Sequence, residues 1–165
     1  MTGRPRAAIL TVSSSRAAGG AEDDASGERL AGFAAEIGAE VVARDLIADD
    51  RDLIAGHLRY ICDEVGCEVL LTTGGTGFAP DDVTPEATVE VADRMAPGIA
   101  EAMRLASREH TPHWMLSRNV AVVRGNTLIV NFPGSPKAIA EAGEAIAVAL
   151  PHALRLLAGE TGGHG

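Results

Sequence analysis

The chain has 165 residues, of which 46% are hydrophobic and only 3% aromatic, and its formal net charge is -9. This length suits one domain with an aliphatic core, and we expect residues 1–165 to form it, with a frayed tail from about residue 159. The acidic balance argues against a non-specific surface for nucleic acid or anionic membranes. We recognise no signal-peptide pattern and no apolar run long enough to span a membrane, so we expect a soluble cytoplasmic protein.

Strands and helices are predicted to alternate in the first half of the chain. Residues 7–12 form a short apolar run with β-branched side chains, which is typical of a buried strand. Residues 13–27 are polar and rich in glycine and serine, and they predict a long loop of the kind that carries function. The elements predicted next are a helix over about 26–37 ended by Gly38, a strand over 40–47, a helix over 51–65 capped by Asp49 or Asp50, and a strand over 67–72.

A hairpin and four helices are predicted in the second half. The pattern gives helices over 85–95 and 98–108, a connector over 114–118, strands over 120–124 and 127–132, and helices over 136–150 and 151–158. Gly125 and Asn126 form the two-residue turn signal of the hairpin. Alternating strands and helices with a late hairpin predict a three-layer α/β/α fold with a mostly parallel sheet.

The cysteines and histidines give no metal signal. Cys62 and Cys67 are the only cysteines, and we expect two buried free thiols in a reducing compartment rather than a disulfide or a metal pair. The five histidines show no HExxH or other metal-binding spacing, so we expect no zinc.

A glycine-rich turn follows the third predicted strand. Gly74, Gly75 and Gly77 remove three side chains within four residues, and glycine lets backbone amides approach a ligand closely. Thr84 suits the N-cap of the next helix and Pro85 its first position. Such a turn between a strand and a helix is where α/β sheets tend to bind phosphates, and a plain strand-to-helix loop is the alternative. Neither GxxxxGK[ST] nor a dinucleotide fingerprint is present.

Two separated motifs carry a resemblance to a known family. TTGGTGFAPDDVTPEAT, over residues 72–88, closely resembles the signature of the molybdopterin adenylyltransferase family (MogA/MoaB-like proteins and gephyrin-like G domains), and NFPGSPK, over residues 131–137, matches a second segment. The resemblance covers nearly the whole chain. It implies the same three-layer fold and transfer of AMP from ATP to molybdopterin, with Mg²⁺, giving adenylylated molybdopterin and pyrophosphate.

Two acidic residues are candidates for catalysis and for Mg²⁺ binding. Asp82 matches the acidic residue that the family carries in its DVTP segment. Mg²⁺ prefers carboxylate oxygens and would offset the charge of the phosphates, whereas a bare carboxylate would repel them. Asp49 follows the second strand, and the ends of parallel strands meet at one edge of a sheet. Residues 46–50 resemble the stretch in which the family has a second functional Asp, although Asp50 could occupy that register. A capping or turn role is the alternative for either carboxylate.

The resemblance also implies a set of ligand-binding residues at the same edge. Family members often carry an Asp among the serines after the first strand, and this chain has none there, so an ordinary polar loop is the alternative. Arg118 is expected either to contact phosphate or to make a structural ion pair, and Lys137 to neutralise phosphate. The candidate residues for substrate and phosphate binding are Ser13, Ser14, Thr73, Gly74, Gly75, Thr76, Gly77, Ser117, Arg118, Pro133, Gly134, Ser135 and Lys137.

Other interpretations remain open at the level of the sequence. A non-catalytic molybdopterin-binding protein of the same family is one alternative. A CinA-like domain is another, although such domains carry GGLGPTxDD without the PEAT found here. The resemblance further implies a homotrimer and a downstream molybdenum insertase as a partner. The sequence does not distinguish a molybdenum pathway from a tungsten pathway.

Overall fold

The computed structural model describes residues 3–19 and 23–160. Within these residues, six strands form one sheet in the order β2-β1-β3-β6-β5-β4. Neighbours among β1, β2, β3 and β6 run parallel, whereas β5 is antiparallel to both β6 and β4. The strands are β1 (Arg6–Val12), β2 (Glu40–Ile47), β3 (Val69–Thr73), β4 (Arg94–Met95), β5 (Ala121–Arg124) and β6 (Thr127–Phe132).

The helices cover both faces of the sheet, as a mostly parallel sheet requires. In chain order they are α1 (Ser14–Gly19), α2 (Ala25–Glu36), α3 (Arg51–Tyr60), α4 (Thr84–Glu90), α5 (Pro97–Ser107), α6 (Pro136–Ile146) and α7 (Leu150–Leu157). A π-helical turn, Ile61–Val65, extends α3, and a 3-10 turn, Trp114–Leu116, precedes β5. No helix among the described residues is both long and apolar enough to cross a membrane.

Two apolar clusters lie on opposite faces of the sheet, because successive strand side chains alternate between the faces. Ala7 and Ile9 of β1 pack with α2, α5, α6 and α7 on one face. Ala8 and Leu10 pack with α3 and α4 on the other. The predicted three-layer α/β/α architecture with a mostly parallel sheet and a late hairpin is confirmed.

Two predicted elements were wrong. Residues 14–19 form α1 rather than part of a loop, and α2 begins at Ala25 after Asp24, whose side chain accepts a hydrogen bond from the amide of Gly27. The helix predicted over 85–95 ends at Glu90, and Arg94–Met95 pairs with Val122 and Val123 as an edge strand. Residues 20–22 of the predicted loop and 161–165 of the predicted tail lie outside the described residues.

The register of the sheet decides where the candidate residues meet. Val12 lies opposite Ile47, Thr11 opposite Thr73, and Thr73 opposite Phe132. The four parallel strands therefore end at one edge. The segments that follow them, beginning at residues 13, 48, 74 and 133, are neighbours in space.

Candidate functional site

The glycine turn after β3 lies against the end of β1. Gly74 and Gly75 have φ of 95° and 68°, in the left-handed region that favours glycine. A Cβ added to Gly74 would collide with the main-chain oxygen of Val12, and one added to Gly75 would collide with the hydroxyl of Thr84. Another residue type would displace the main chain of Val12 at Gly74, or the side chain of Thr84 at Gly75.

Thr84 holds the glycine turn from the side of α4. Its hydroxyl donates to the carbonyl of Gly74 at 2.9 Å, and its amide donates to the carbonyl of Gly75 at 3.1 Å. The N-cap role predicted for Thr84 was therefore wrong, because the helix begins at Thr84 itself and Val83 stands at the capping position without a side-chain bond. Both glycine carbonyls are engaged by Thr84. None of the amides of Gly75, Thr76 and Gly77 donates to another described residue.

Asp49 pairs with the serine segment after β1. Its Oδ2 accepts from the amide of Ser14 at 2.8 Å and from the Ser14 hydroxyl at 3.0 Å, and that hydroxyl in turn accepts from the Asp49 amide at 2.9 Å. A Cβ on Gly75 would lie 3.1 Å from Asp49 Oδ1. Asp50 instead caps α3 by accepting from the amide of Leu53. Of the two registers left open by the sequence, Asp49 is the residue that borders the glycine turn.

Asp82 borders the same turn at Gly77, two residues after Gly75. Its Oδ2 accepts from the amide of Ala79 at 3.0 Å, and a Cβ on Gly77 would lie 2.8 Å from that oxygen. The carboxylates of Asp49 and Asp82 thus flank the turn at Gly75 and at Gly77. The sequence placed both on one sheet edge, and the structure puts both beside the glycines.

The donor set suits Mg²⁺ better than a softer metal. No group of three or more His, Cys, Asp or Glu side chains that could hold a metal ion occurs among the described residues. Mg²⁺ needs no such cage, because it keeps several waters and binds through one or two carboxylates plus substrate phosphates. Oδ1 of Asp49 has no hydrogen-bond partner in the described part of the chain and faces Gly75. The two aspartates therefore fit a magnesium ion that is completed by phosphate.

Arg118 closes the acidic loop that links the turn to α4. Its Nε donates to the carbonyl of Gly77 at 2.7 Å, its Nη2 donates to the carbonyl of Asp82 at 2.6 Å, and its Nη1 makes an ion pair with Glu86. The hydrogen bond from Arg118 also lowers the pKa of the Glu86 carboxyl. Every nitrogen of the guanidinium is engaged, which favours the structural ion pair over phosphate contact.

The second motif reaches the same edge from β6. Thr73 donates its hydroxyl to the carbonyl of Pro133 at 2.6 Å, and Ser26 donates to the carbonyl of Gly134 at 2.5 Å. Ser135 caps α6 by accepting from the amide of Ala138. The side chain of Lys137 is 84% exposed and lies 3.8 Å from Glu141. Lys137 is thus at the start of α6 but is not among the residues that line either cleft described below.

Two clefts lie on either side of Pro133 and Gly134. The first, of about 230 Å³, covers the ends of β1, β3 and β6 and is lined by Thr11, Val12, Ser13, Ser15, Arg16, Thr73, Gly74 and Gly134. The second, of about 130 Å³, contains Ser117, Asn119, Arg104 and Pro133 among its lining residues. Sequence reasoning had no signal for Asn119.

Arg104 bonds to the segment before β5 rather than along its own helix. An i,i+3 ion pair with Glu101 is the arrangement that helical spacing favours. Arg104 instead donates to the main-chain and side-chain oxygens of Asn119, at 2.7 and 2.8 Å. The hydroxyl of Ser117 donates to the same side-chain oxygen at 2.9 Å. Arg104 and Ser117 therefore share one acceptor at the wall of the second cleft.

Comparison with known proteins finds a matching family model, related sequences and similar structures. A family model described as a probable molybdopterin binding domain matches residues 8–152. The molybdopterin adenylyltransferase of Helicobacter pylori strain J99 is 41% identical over 148 residues, which cover 88% of this chain and 84% of that protein. The molybdopterin adenylyltransferase of Escherichia coli K12 is 48% identical over 101 residues, 61% of this chain and 52% of that protein, so the match spans about half of that relative. The crystal structure of the molybdopterin biosynthesis enzyme MoaB from Thermus thermophilus has a TM-score of 0.86 and 46% identity, covering 94% of this chain and 98% of that one.

Proposed function

This chain belongs to the family of probable molybdopterin binding domains, and we propose that it transfers AMP from ATP to molybdopterin. A terminal phosphate oxygen of molybdopterin would bond to the α-phosphorus of ATP while the bond to the departing pyrophosphate breaks. The observation that carries the proposal is the glycine turn with carboxylates on both flanks, Asp49 at Gly75 and Asp82 at Gly77. A turn with free amides binds phosphate, and two carboxylates beside it call for a bridging cation.

The residues of the chain act by positioning and by electrostatics, since no covalent enzyme intermediate is needed. The amides of Gly75, Thr76 and Gly77 bind phosphate oxygens, while Thr84 engages the carbonyls of Gly74 and Gly75. Asp49 and Asp82 would hold Mg²⁺, which would offset charge on the phosphates. Ser13 lines the first cleft, and Ser14 contributes to ligand binding by orienting Asp49.

The remaining candidate residues have separate roles in the proposal. Gly134 lines the first cleft, and Pro133 and Ser117 line the second; these clefts receive the pterin and its phosphate. Lys137 meets ligand phosphate from solvent, because its ammonium is exposed and only loosely paired. Ser135 contributes by fixing the start of α6.

A pyrophosphate-release assay with molybdopterin and Mg-ATP tests the proposal. Gly75→Val is expected to abolish turnover, because its branched side chain meets Thr84 and Asp49. Gly125→Val is the matched control, since Gly125 also has positive φ, at 57°, but has open space around its Cβ position in the hairpin turn. Full activity of Gly75→Val would remove the glycine-turn assignment. Wild-type protein that binds molybdopterin tightly without turnover would identify the non-catalytic member of the family instead.

We also propose that residues 1–165 act as one domain and that the protein works in the cytoplasm as a homotrimer. A groove of small apolar side chains between α5 and α6, lined by Ala96, Pro97, Gly98, Ile99, Ala102, Ala145, Ile146 and Ala149, supports self-association. Product would pass to a molybdenum insertase. Sedimentation at micromolar concentration checks the assembly, and a monomeric mass would contradict it.

A further inference from the structure

A fully buried amide lies behind the glycine turn. Asn131 of β6 is 0% exposed, and its Nδ2 donates at 3.0 Å to the hydroxyls of both Thr72 and Thr88. Its Oδ1 accepts from the amide of Val120 at 3.3 Å. One side chain thus joins β3, α4 and the segment before β5, and a buried polar group of this kind persists only when it is satisfied.

The hydrogen bonds continue from Asn131 to the glycine turn. The hydroxyl of Thr88 donates to the carbonyl of Thr84 at 2.8 Å. Thr84 then donates its hydroxyl and its amide to the carbonyls of Gly74 and Gly75. Thr84 and Thr88 are both 0% exposed. We name the series Asn131, Thr88 and Thr84 the buried relay.

The helix through which the relay passes is intrinsically weak. α4 has seven residues, TPEATVE, and three of them are β-branched. Isolated helices this short do not form in water, and β-branched residues lower helix propensity further. The position of α4 must therefore be fixed by tertiary contacts. Two of these belong to the buried relay: one bonds α4 to the sheet, and the other bonds it to the glycine turn.

We propose that the buried relay is a positioning system that sets the distance between the glycine turn and Asp82. Asp82 lies two residues before α4, so a shift of α4 moves that carboxylate, while Thr84 transmits the same shift to Gly74 and Gly75. The catalytic part of the inference rests on the proposed function. The structural part, that the relay orders residues 74–83, stands independently of it.

Thr88→Val tests the relay, because it removes the hydroxyl and nearly keeps the shape, and Thr88→Ser should restore the bond. Thr127→Val is the matched control. Thr127 is also buried and donates to one carbonyl, that of Cys67, but it lies at the opposite end of β6. Amide hydrogen exchange over residues 74–83 is measured for all three variants, together with kcat, KM and the Mg²⁺ concentration for half-maximal rate.

In Thr88→Val we expect exchange over residues 74–83 to be about 10-fold faster or more than in Thr127→Val. We also expect kcat to be about 10- to 100-fold lower, with a raised Mg²⁺ requirement, since a misplacement of roughly 1 Å can cost about 100-fold in rate. Thr88→Ser should recover both. Equal exchange in Thr88→Val and Thr127→Val would overturn the relay. Faster exchange with unchanged kcat and Mg²⁺ requirement would overturn its catalytic part. Absence of turnover in the wild type would refute the proposed function instead, and the exchange comparison would still decide the structural part.

Discussion

Replacing Asp82 with Asn removes one negative charge and little else. The Asn side chain keeps an oxygen that can accept from the amide of Ala79, now 3.0 Å from Oδ2. The bonds from Arg118 to this loop end on the main-chain carbonyls of Gly77 and Asp82 and on Glu86, so the substitution does not touch them. The variant therefore separates the charge of Asp82 from the shape of the loop.

The effects on rate and on stability should differ in size. Losing a well-placed electrostatic partner costs roughly 100- to 1000-fold in kcat, or about 3–4 kcal/mol in the activation free energy. In the folded state, the substitution weakens one hydrogen bond, from the amide of Ala79, at a half-exposed site. The free energy of unfolding should fall by about 1 kcal/mol at most. For a chain of this length that lowers Tm by about 2–4 °C.

Pyrophosphate release at saturating Mg²⁺ and thermal unfolding are measured together, with Asp81→Asn as the control. Asp81 is the adjacent exposed carboxylate and makes no hydrogen bond or ion pair among the described residues, so the same change of charge there should leave turnover near that of the wild type. If Asp82 served only the turn, Asp82→Asn would lower Tm and leave turnover almost unchanged. Near-normal adenylyl transfer by Asp82→Asn would refute the metal-binding assignment.

Three further predictions concern the surroundings of the site. Ser14→Ala should lower kcat by about 10-fold with little change in Tm, because Asp49 loses its hydroxyl partner on an exposed surface; an unchanged rate in the pyrophosphate assay would show that this orientation does not matter. The hydrogen bond from Arg118 lowers the pKa of Glu86 below its ordinary 4.5, so it stabilises the folded state above that pH and is lost in acid. The stability difference between wild type and Glu86→Gln, from denaturant unfolding, should therefore shrink as pH falls below 4.5, and a constant difference would contradict this. Burial raises the pKa of the Cys67 thiol from 9.0 to about 12, so its alkylation at pH 8.5 should be roughly 100-fold slower in native than in unfolded protein, and folded-state stability should fall as pH rises above 9.

The strands with strong local signals were predictable. β6 was placed correctly at residues 127–132 because an apolar run begins directly after the Gly125 and Asn126 turn. β4 was not predictable, because two residues are too few to show the alternation of apolar and polar side chains that marks a strand. Arg94–Met95 is a strand only through its pairing with β5. α1 was missed because its six residues include none that is buried, so no apolar face marks it.

Much of the candidate site was also readable from the sequence, but its orientation was not. The motif pointed to Asp82, and strand order pointed to Asp49 or Asp50. Whether Asp49 or Asp50 faces the turn depends on side-chain direction, which the sequence does not give. The structure shows that Asp50 caps α3. Arg118 was ambiguous for the same reason, because its three partners come from residues 32 to 41 positions away.

The balance of charge around the glycine turn strengthens the case for a divalent cation in the proposed reaction. Two carboxylates border the turn, and the whole chain carries a formal net charge of -9. The positive charge of Arg118 is already paired with Glu86, and Lys137 stands exposed at the start of α6. Among the residues that line the first cleft, Arg16 is the one cation. A triphosphate that reaches this turn would meet repulsion from both aspartates in the absence of a metal ion. In the proposed reaction, the two aspartates that would repel a bare phosphate would therefore favour one that arrives with Mg²⁺.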